Sequence, residues 1–94
     1  MFDIYFTYEA QAQYKALSSV KLKKVQRAIA YLQENPRHPS LNTHIYSAYK
    51  NPVDLNEPVF EAYVENRTPG AYRIFWCYGP ERGNITLIAM TQHP

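Results

Sequence analysis

Leu22, Val25, Ile29 and Leu32 recur at intervals of three, four and three residues, with Lys21, Lys23, Lys24, Gln26, Arg27, Gln33 and Glu34 among the positions around them. A pattern of this kind lays one apolar stripe along a helix and leaves the opposite face to water, so the helix needs a surface to lie on. Ser18 and Ser19 supply a cap before it. Asn35-Pro36 ends it, because the residue before a proline is pushed out of the α region. The rest of the chain must provide the surface, and 94 residues leave room for one core. A single domain over residues 1–94 is expected.

The remaining segments are mostly β-prone. Ile4 to Phe6, reached through Phe2 and Asp3, reads as a strand and stops where Thr7 offers an N-cap oxygen. Glu9 then falls in a first helical turn, and Ala10, Tyr14 and Leu17 recur at helical spacing, predicting a helix from about Tyr8 to Leu17. From Pro36 to Pro58 the chain is irregular, with weak alternation over Thr43 to Tyr49 that is compatible with a strand. Val59 to Glu65 and Tyr72 to Tyr78 are stronger strands joined by Asn66-Arg67-Thr68-Pro69-Gly70-Ala71, a connection of hairpin size. Pro80 and Gly83 mark another turn before a last strand, Ile85 to Met90. Helices gathered near one end of the chain predict an α+β fold, two N-terminal helices packed on a mainly antiparallel sheet of four to five strands.

Composition excludes several classes. With 46% apolar and 19% charged residues the chain is too hydrophobic for a disordered segment. The single Cys77 cannot form an internal bridge, and no Cys/His spacing matches a zinc site, so neither metal nor disulfide is expected. Met1 is followed by Phe2, Asp3 and Ile4 with no basic leader, and no run approaches membrane-spanning length, so a cytoplasmic setting without membrane contact is expected. Net charge is +2, yet residues 1–50 carry seven Lys/Arg against three acids, while residues 51–94 carry three against five. Lys21, Lys23, Lys24 and Arg27 produce much of the local excess, which suits a phosphate backbone or an acidic partner protein and equally a solvated helix face.

Side chains alternate across a strand, so Tyr72, Ile74, Trp76 and Tyr78 share one face and Arg73, Phe75 and Cys77 the other. The neighbouring segment divides into Phe60, Ala62, Val64 and a more polar Val59, Glu61, Tyr63, Glu65. Pairing the two apolar faces against the helices brings Glu61, Tyr63, Glu65, Arg73, Phe75 and Cys77 onto the far face, where a concave, partly polar surface is expected. An arginine beside tyrosine and carboxylates there can clamp a phosphate while a neighbour moves a proton, as cutting RNA through its own 2′-hydroxyl requires. A cross-strand ion pair between Arg73 and Glu61 or Glu65 accounts for the same residues without any catalysis. His38 and His44 flank a loop and read as surface or turn residues, and Cys77 as a small half-buried hydrophobe. Tyr46 and Tyr49 suit base stacking or a protein interface.

Tyr72-Arg73-Ile74-Phe75-Trp76 resembles the tyrosine-arginine-aliphatic-x-aromatic strand of RelE and YoeB type toxins. Leu32 to Leu41 followed by His44 is similar to the helix end and loop of the RelE/ParE superfamily. Phe60-Glu61-Ala62-Tyr63-Val64 resembles its tryptophan-glutamate-x-arginine-valine strand, and His93 the histidine that many members carry at the close of the last strand. In order, these matches span about residues 20–94, and the chain is identified as similar to that superfamily.

The resemblance implies the toxin of a type II toxin-antitoxin pair, in most branches a ribosome-dependent endoribonuclease that cleaves mRNA without metal or cofactor. In the ParE branch it implies an inhibitor of DNA gyrase, and an inactive member that only binds its partner is a third alternative. Carried over, Arg73 would stabilise the scissile phosphate, His93 would act as general acid or base, and Glu61 as a general base. Tyr63 and Arg67, with Lys21, Lys24 and Arg27, are the candidates for contact with RNA. Glu61 and Tyr63 stand where RelE-type members carry lysines, and the chain closes on His93-Pro94 where YoeB-type members end in histidine-tyrosine. The implied partners are a cognate antitoxin that covers the active face, the ribosome and mRNA, with operator DNA reached only through the antitoxin.

Overall fold

The computed structural model describes residues 1–93. Strand β1 (Asp3–Phe6) leads into helix α1 (Tyr8–Lys15) and then the longer helix α2 (Ser19–Glu34). A 3-10 turn (Pro39–Leu41) precedes β2 (His44–Ile45), and β3 (Phe60–Tyr63), β4 (Tyr72–Tyr78) and β5 (Asn84–Gln92) follow. The Thr7 hydroxyl accepts from the Ala10 N–H and the Ser18 hydroxyl from the Lys21 N–H, so each helix starts where an oxygen can take an orphan amide. Helix α1 stops at Lys15, two residues short of the predicted Leu17, because the chain must leave α-helical geometry for Ser18 to cap α2. Of the segment Thr43 to Tyr49, only His44 and Ile45 pair as a strand.

The five strands lie in the order β1-β5-β4-β3-β2, antiparallel except for β1, which runs parallel to β5. The α+β architecture is the one the patterning predicts. Val25, Ala28 and Leu32 of α2 and Ala10 of α1 pack on Ala62, Ile74, Trp76, Ile85, Leu87 and Met90, all buried. Trp76 is the largest of them, stacked on Phe60 at 4.8 Å between ring centroids. Between Phe75 and Trp76 the β4–β5 register slips past an extra residue, Ile88, which carries Ala89 to the far side of the sheet while Leu87 and Met90 both stay with the helices.

The far side departs from expectation. Val59, Phe75 and Ala89 form a second buried cluster covered by Tyr46 and Tyr49, whose ring centroids lie 4.7 and 4.8 Å from that of Phe75. The irregular segment after β2 folds back over that half of the sheet, so the concave open surface expected from alternation is confined to the Arg73 end. Cys77 is fully buried rather than half-buried. Asn51 anchors the covering segment by accepting the Val53 and Asp54 amides through its Oδ1.

Candidate functional site

Register alone brings two of the predicted residues together. Glu61 pairs with Phe75 and Tyr63 with Arg73, so the carboxylate and the guanidinium lie on adjacent strands on the face away from the helices. The Glu61 Oε2 to Arg73 Nε separation is 3.7 Å, an ion pair rather than a close hydrogen bond. Arg73 Nη1 instead donates to the backbone carbonyls of Glu65 and Tyr72, and its guanidinium carbon sits 3.8 Å from the Tyr63 ring centroid. Arg73 is only 8% exposed, and its Nε, wholly buried, has no hydrogen-bond partner. A buried guanidinium with spare donor capacity favours any anion that can reach it.

The third predicted residue arrives from the end of β5. The His93 N–H donates to the Ala71 carbonyl, which extends the ladder one step and turns the imidazole toward β3. Its Nδ1 lies 2.6 Å from Glu61 Oε2. The histidine is half exposed and Glu61 is 1% exposed, so the carboxylate is the buried anchor and the imidazole the accessible member. Among the described residues nothing hydrogen-bonds His93 Nε2, which is left open.

A fourth residue joins them, His44, which the sequence pattern assigned to the surface or a turn. His44 of β2 places Nε2 2.5 Å from Glu61 Oε1, because β2 pairs with β3 so that His44 stands opposite Glu61. Its Nδ1 lies 2.8 Å from the Asn42 carbonyl. The only sequence signal for this contact was a histidine of the right parity on a two-residue strand, and nothing local distinguishes that from a turn histidine. Tyr63 closes the side, its ring edge-on to His44 at 6.0 Å, and Tyr46 flanks His93 at 6.5 Å between centroids.

The other expected residues lie elsewhere. Glu65 is not on the far face: β3 ends at Tyr63, the chain turns, and its carboxylate points back to α2. There it pairs with Lys21, with Lys24 at 2.9 Å, and accepts the Tyr72 N–H at 3.1 Å. The hydrogen bonds from Lys21 and Lys24 hold its carboxyl down at about 2, against a smaller opposing push from burial. Lys21 and Lys24, expected to face RNA, are thus partly neutralised within the chain. Lys24 and Arg27 also line a shallow cleft of about 160 Å³ with Tyr31, Ser40, Tyr63 and Val64, so the basic face of α2 runs up to the tyrosine that stacks on Arg73. Arg67 is exposed in the β3–β4 turn at φ 63°. A larger cleft of about 430 Å³, between Val53–Phe60 and Tyr78–Arg82, lies toward the opposite end of β4 and contains none of these residues.

No protein-family model matches this sequence, and no curated protein is similar to it. Solved structures are similar in fold over nearly the whole chain. The Escherichia coli RelBE toxin-antitoxin complex aligns with a TM-score of 0.69 and 12% identity, covering 100% of this chain and 99% of that one. A YoeB/ParE toxin from Agrobacterium tumefaciens aligns with a TM-score of 0.71 and 8% identity, covering 99% and 100%. The YoeB dimer from Staphylococcus aureus aligns with a TM-score of 0.70 and 13% identity, covering 99% and 98%. The chain therefore has the fold of the RelE and YoeB toxins, the fold its strand motifs predict.

Proposed function

We propose that this chain is the toxin of a type II toxin-antitoxin pair and that it cleaves mRNA on the ribosome by acid/base chemistry. The observation that carries the reading is the convergence of Arg73 from β4, Glu61 from β3 and His93 from just past the end of β5 on one partly open spot. In such a cleavage the 2′-oxygen attacks phosphorus and the bond to the 5′-oxygen breaks, leaving a cyclic phosphate and a 5′-hydroxyl. One proton leaves the 2′-hydroxyl and one reaches the departing 5′-oxygen. The open Nε2 of His93 is the atom placed to make one of these transfers. Arg73 stabilises the charge that grows on the phosphate oxygens. Glu61, buried and engaged through both oxygens, acts through His93 rather than on the RNA directly. Arg27, Arg67 and Tyr63, with whatever charge Lys21 and Lys24 retain beside Glu65, guide the backbone toward it.

The partner implied is a cognate antitoxin, as RelB is to RelE in the structure from Escherichia coli. This chain expressed alone is expected to arrest growth, and coexpression with the gene upstream or downstream of it is expected to relieve the arrest. Primer extension on ribosome-bound mRNA after induction is the direct test. Wild type produces codon-positioned cuts, and Arg73→Ala and His93→Ala each reduce them by about 10²-fold or more while the chain stays folded. Cuts that persist in both variants, or DNA damage with intact mRNA, overturn the reading.

A further inference from the structure

His44 has both ring nitrogens occupied. Nδ1 faces the Asn42 carbonyl at 2.8 Å, and a carbonyl only accepts, so Nδ1 carries a hydrogen. Nε2 faces Glu61 Oε1 at 2.5 Å, a distance that places a second hydrogen between them. Glu61 Oε2 meanwhile takes His93 Nδ1 at 2.6 Å and faces Arg73 Nε at 3.7 Å. One hydrogen is therefore shared between His44 Nε2 and Glu61 Oε1, and it ties the ring to the carboxyl group whichever atom carries it. Asn42 is held for this purpose at φ 45°, closing the 3-10 turn with its own N–H on the Pro39 carbonyl. That fixes the carbonyl against which the ring is braced.

We infer that His44 is a positioning residue: braced at Nδ1 by the Asn42 carbonyl, it fixes Glu61 through Nε2 and thereby sets which nitrogen of His93 faces the RNA. This rests on the cleavage reading above. His44 offers no free nitrogen to a substrate, so it takes no part in proton transfer to or from RNA. Its effect is orientational: with Oε1 held, Oε2 stays aimed at His93 Nδ1, the His93 tautomer is fixed, and Nε2 is the atom left outward. His44 also occupies Glu61 Oε1, so that Oε2 is the oxygen that faces Arg73 and His93. The groups that face His44 are Glu61 and Asn42, with the Tyr63 ring edge-on at its side.

Nitrogen-15 spectra of the full chain labelled in its three histidines test this, with assignments made by single substitution. His44 is expected to show both ring nitrogens engaged in hydrogen bonds, and His93 a single tautomer with its hydrogen on Nδ1 and Nε2 open. His44→Ala is expected to mix the His93 tautomers and lower kcat on ribosome-bound mRNA at least tenfold, with KM within threefold of wild type. His44→Gln, whose amide reaches Glu61 as a donor, restores the single tautomer and most of kcat. A His44 ring with a nitrogen free of hydrogen bonding, or a His44→Ala variant that cuts as wild type does, overturns the inference and leaves the cleavage reading standing. A wild-type chain that cuts no mRNA overturns both, whatever the spectra show.

Discussion

Arg73 occupies one register position and answers to four neighbours. Two backbone carbonyls hold its Nη1, the Tyr63 ring lies against its plane, and Glu61 faces its Nε. Two strand positions further along the same face, Cys77 meets a different environment. It is fully buried, and burial pushes its thiol up to about 11. At neutral pH the thiolate is scarce and sterically shielded, and the thiolate is the reactive form. Iodoacetamide is expected to leave the native protein unlabelled over hours and to label it within minutes in urea. Fast labelling in native buffer would show that the thiol is not held buried. The two residues have the same parity in sequence, and alternation could not tell a buried thiol from a poised guanidinium. The difference comes from what lies over each.

At the scale of elements, α2 is tied to the β3–β4 hairpin through Glu65, which Lys21 and Lys24 clamp from the helix side. Its carboxyl is depressed from 4.5 to about 2 in the folded chain, chiefly by the hydrogen bonds from these two lysines. The stabilisation is therefore fully present above the unfolded carboxyl value and is lost as pH falls through the folded one. After allowance for solvent screening of the lysines it amounts to about 1–2 kcal/mol. Glu65→Gln is expected to lower the urea midpoint at pH 7, and the gap to wild type should close between about pH 5 and pH 2. A gap that is constant with pH would mean the carboxylate charge contributes nothing. The period of α2 and its Ser18 and Asn35 boundaries were legible because they depend on residues a turn apart. That Glu65 leaves the strand and reaches the helix was not, because alternation assumes a strand that continues, and β3 ends at Tyr63.

In the whole molecule, helices cover one face of the sheet and the segment after β2 covers half of the other. Tyr49 packs edge-on to both Tyr46 and Phe75, and burial, with the nearby Tyr46 and Glu9, raises its hydroxyl above the usual tyrosine value. Tyr49→Ala is expected to cost about 3 kcal/mol in urea unfolding by removing a large ring from a packed cluster. Tyr49→Phe should cost much less. A negligible cost for the alanine variant would show that the cover is loosely attached. Because Tyr46 touches both this cluster and His93, the same alanine variant should also slow the proposed mRNA cleavage. The sequence by itself determined the helices, the existence of β1, β3, β4 and β5 and the face that meets the helices, since caps, prolines and periodicity act within a few residues. It also placed Arg73 and Glu61 on one side of the sheet, through parity alone. Only the tertiary structure decided that an aperiodic segment shields Phe75, and that His44 and His93 meet on Glu61 from opposite directions. Those contacts join residues far apart in the chain, where no local pattern carries information about which surfaces will touch.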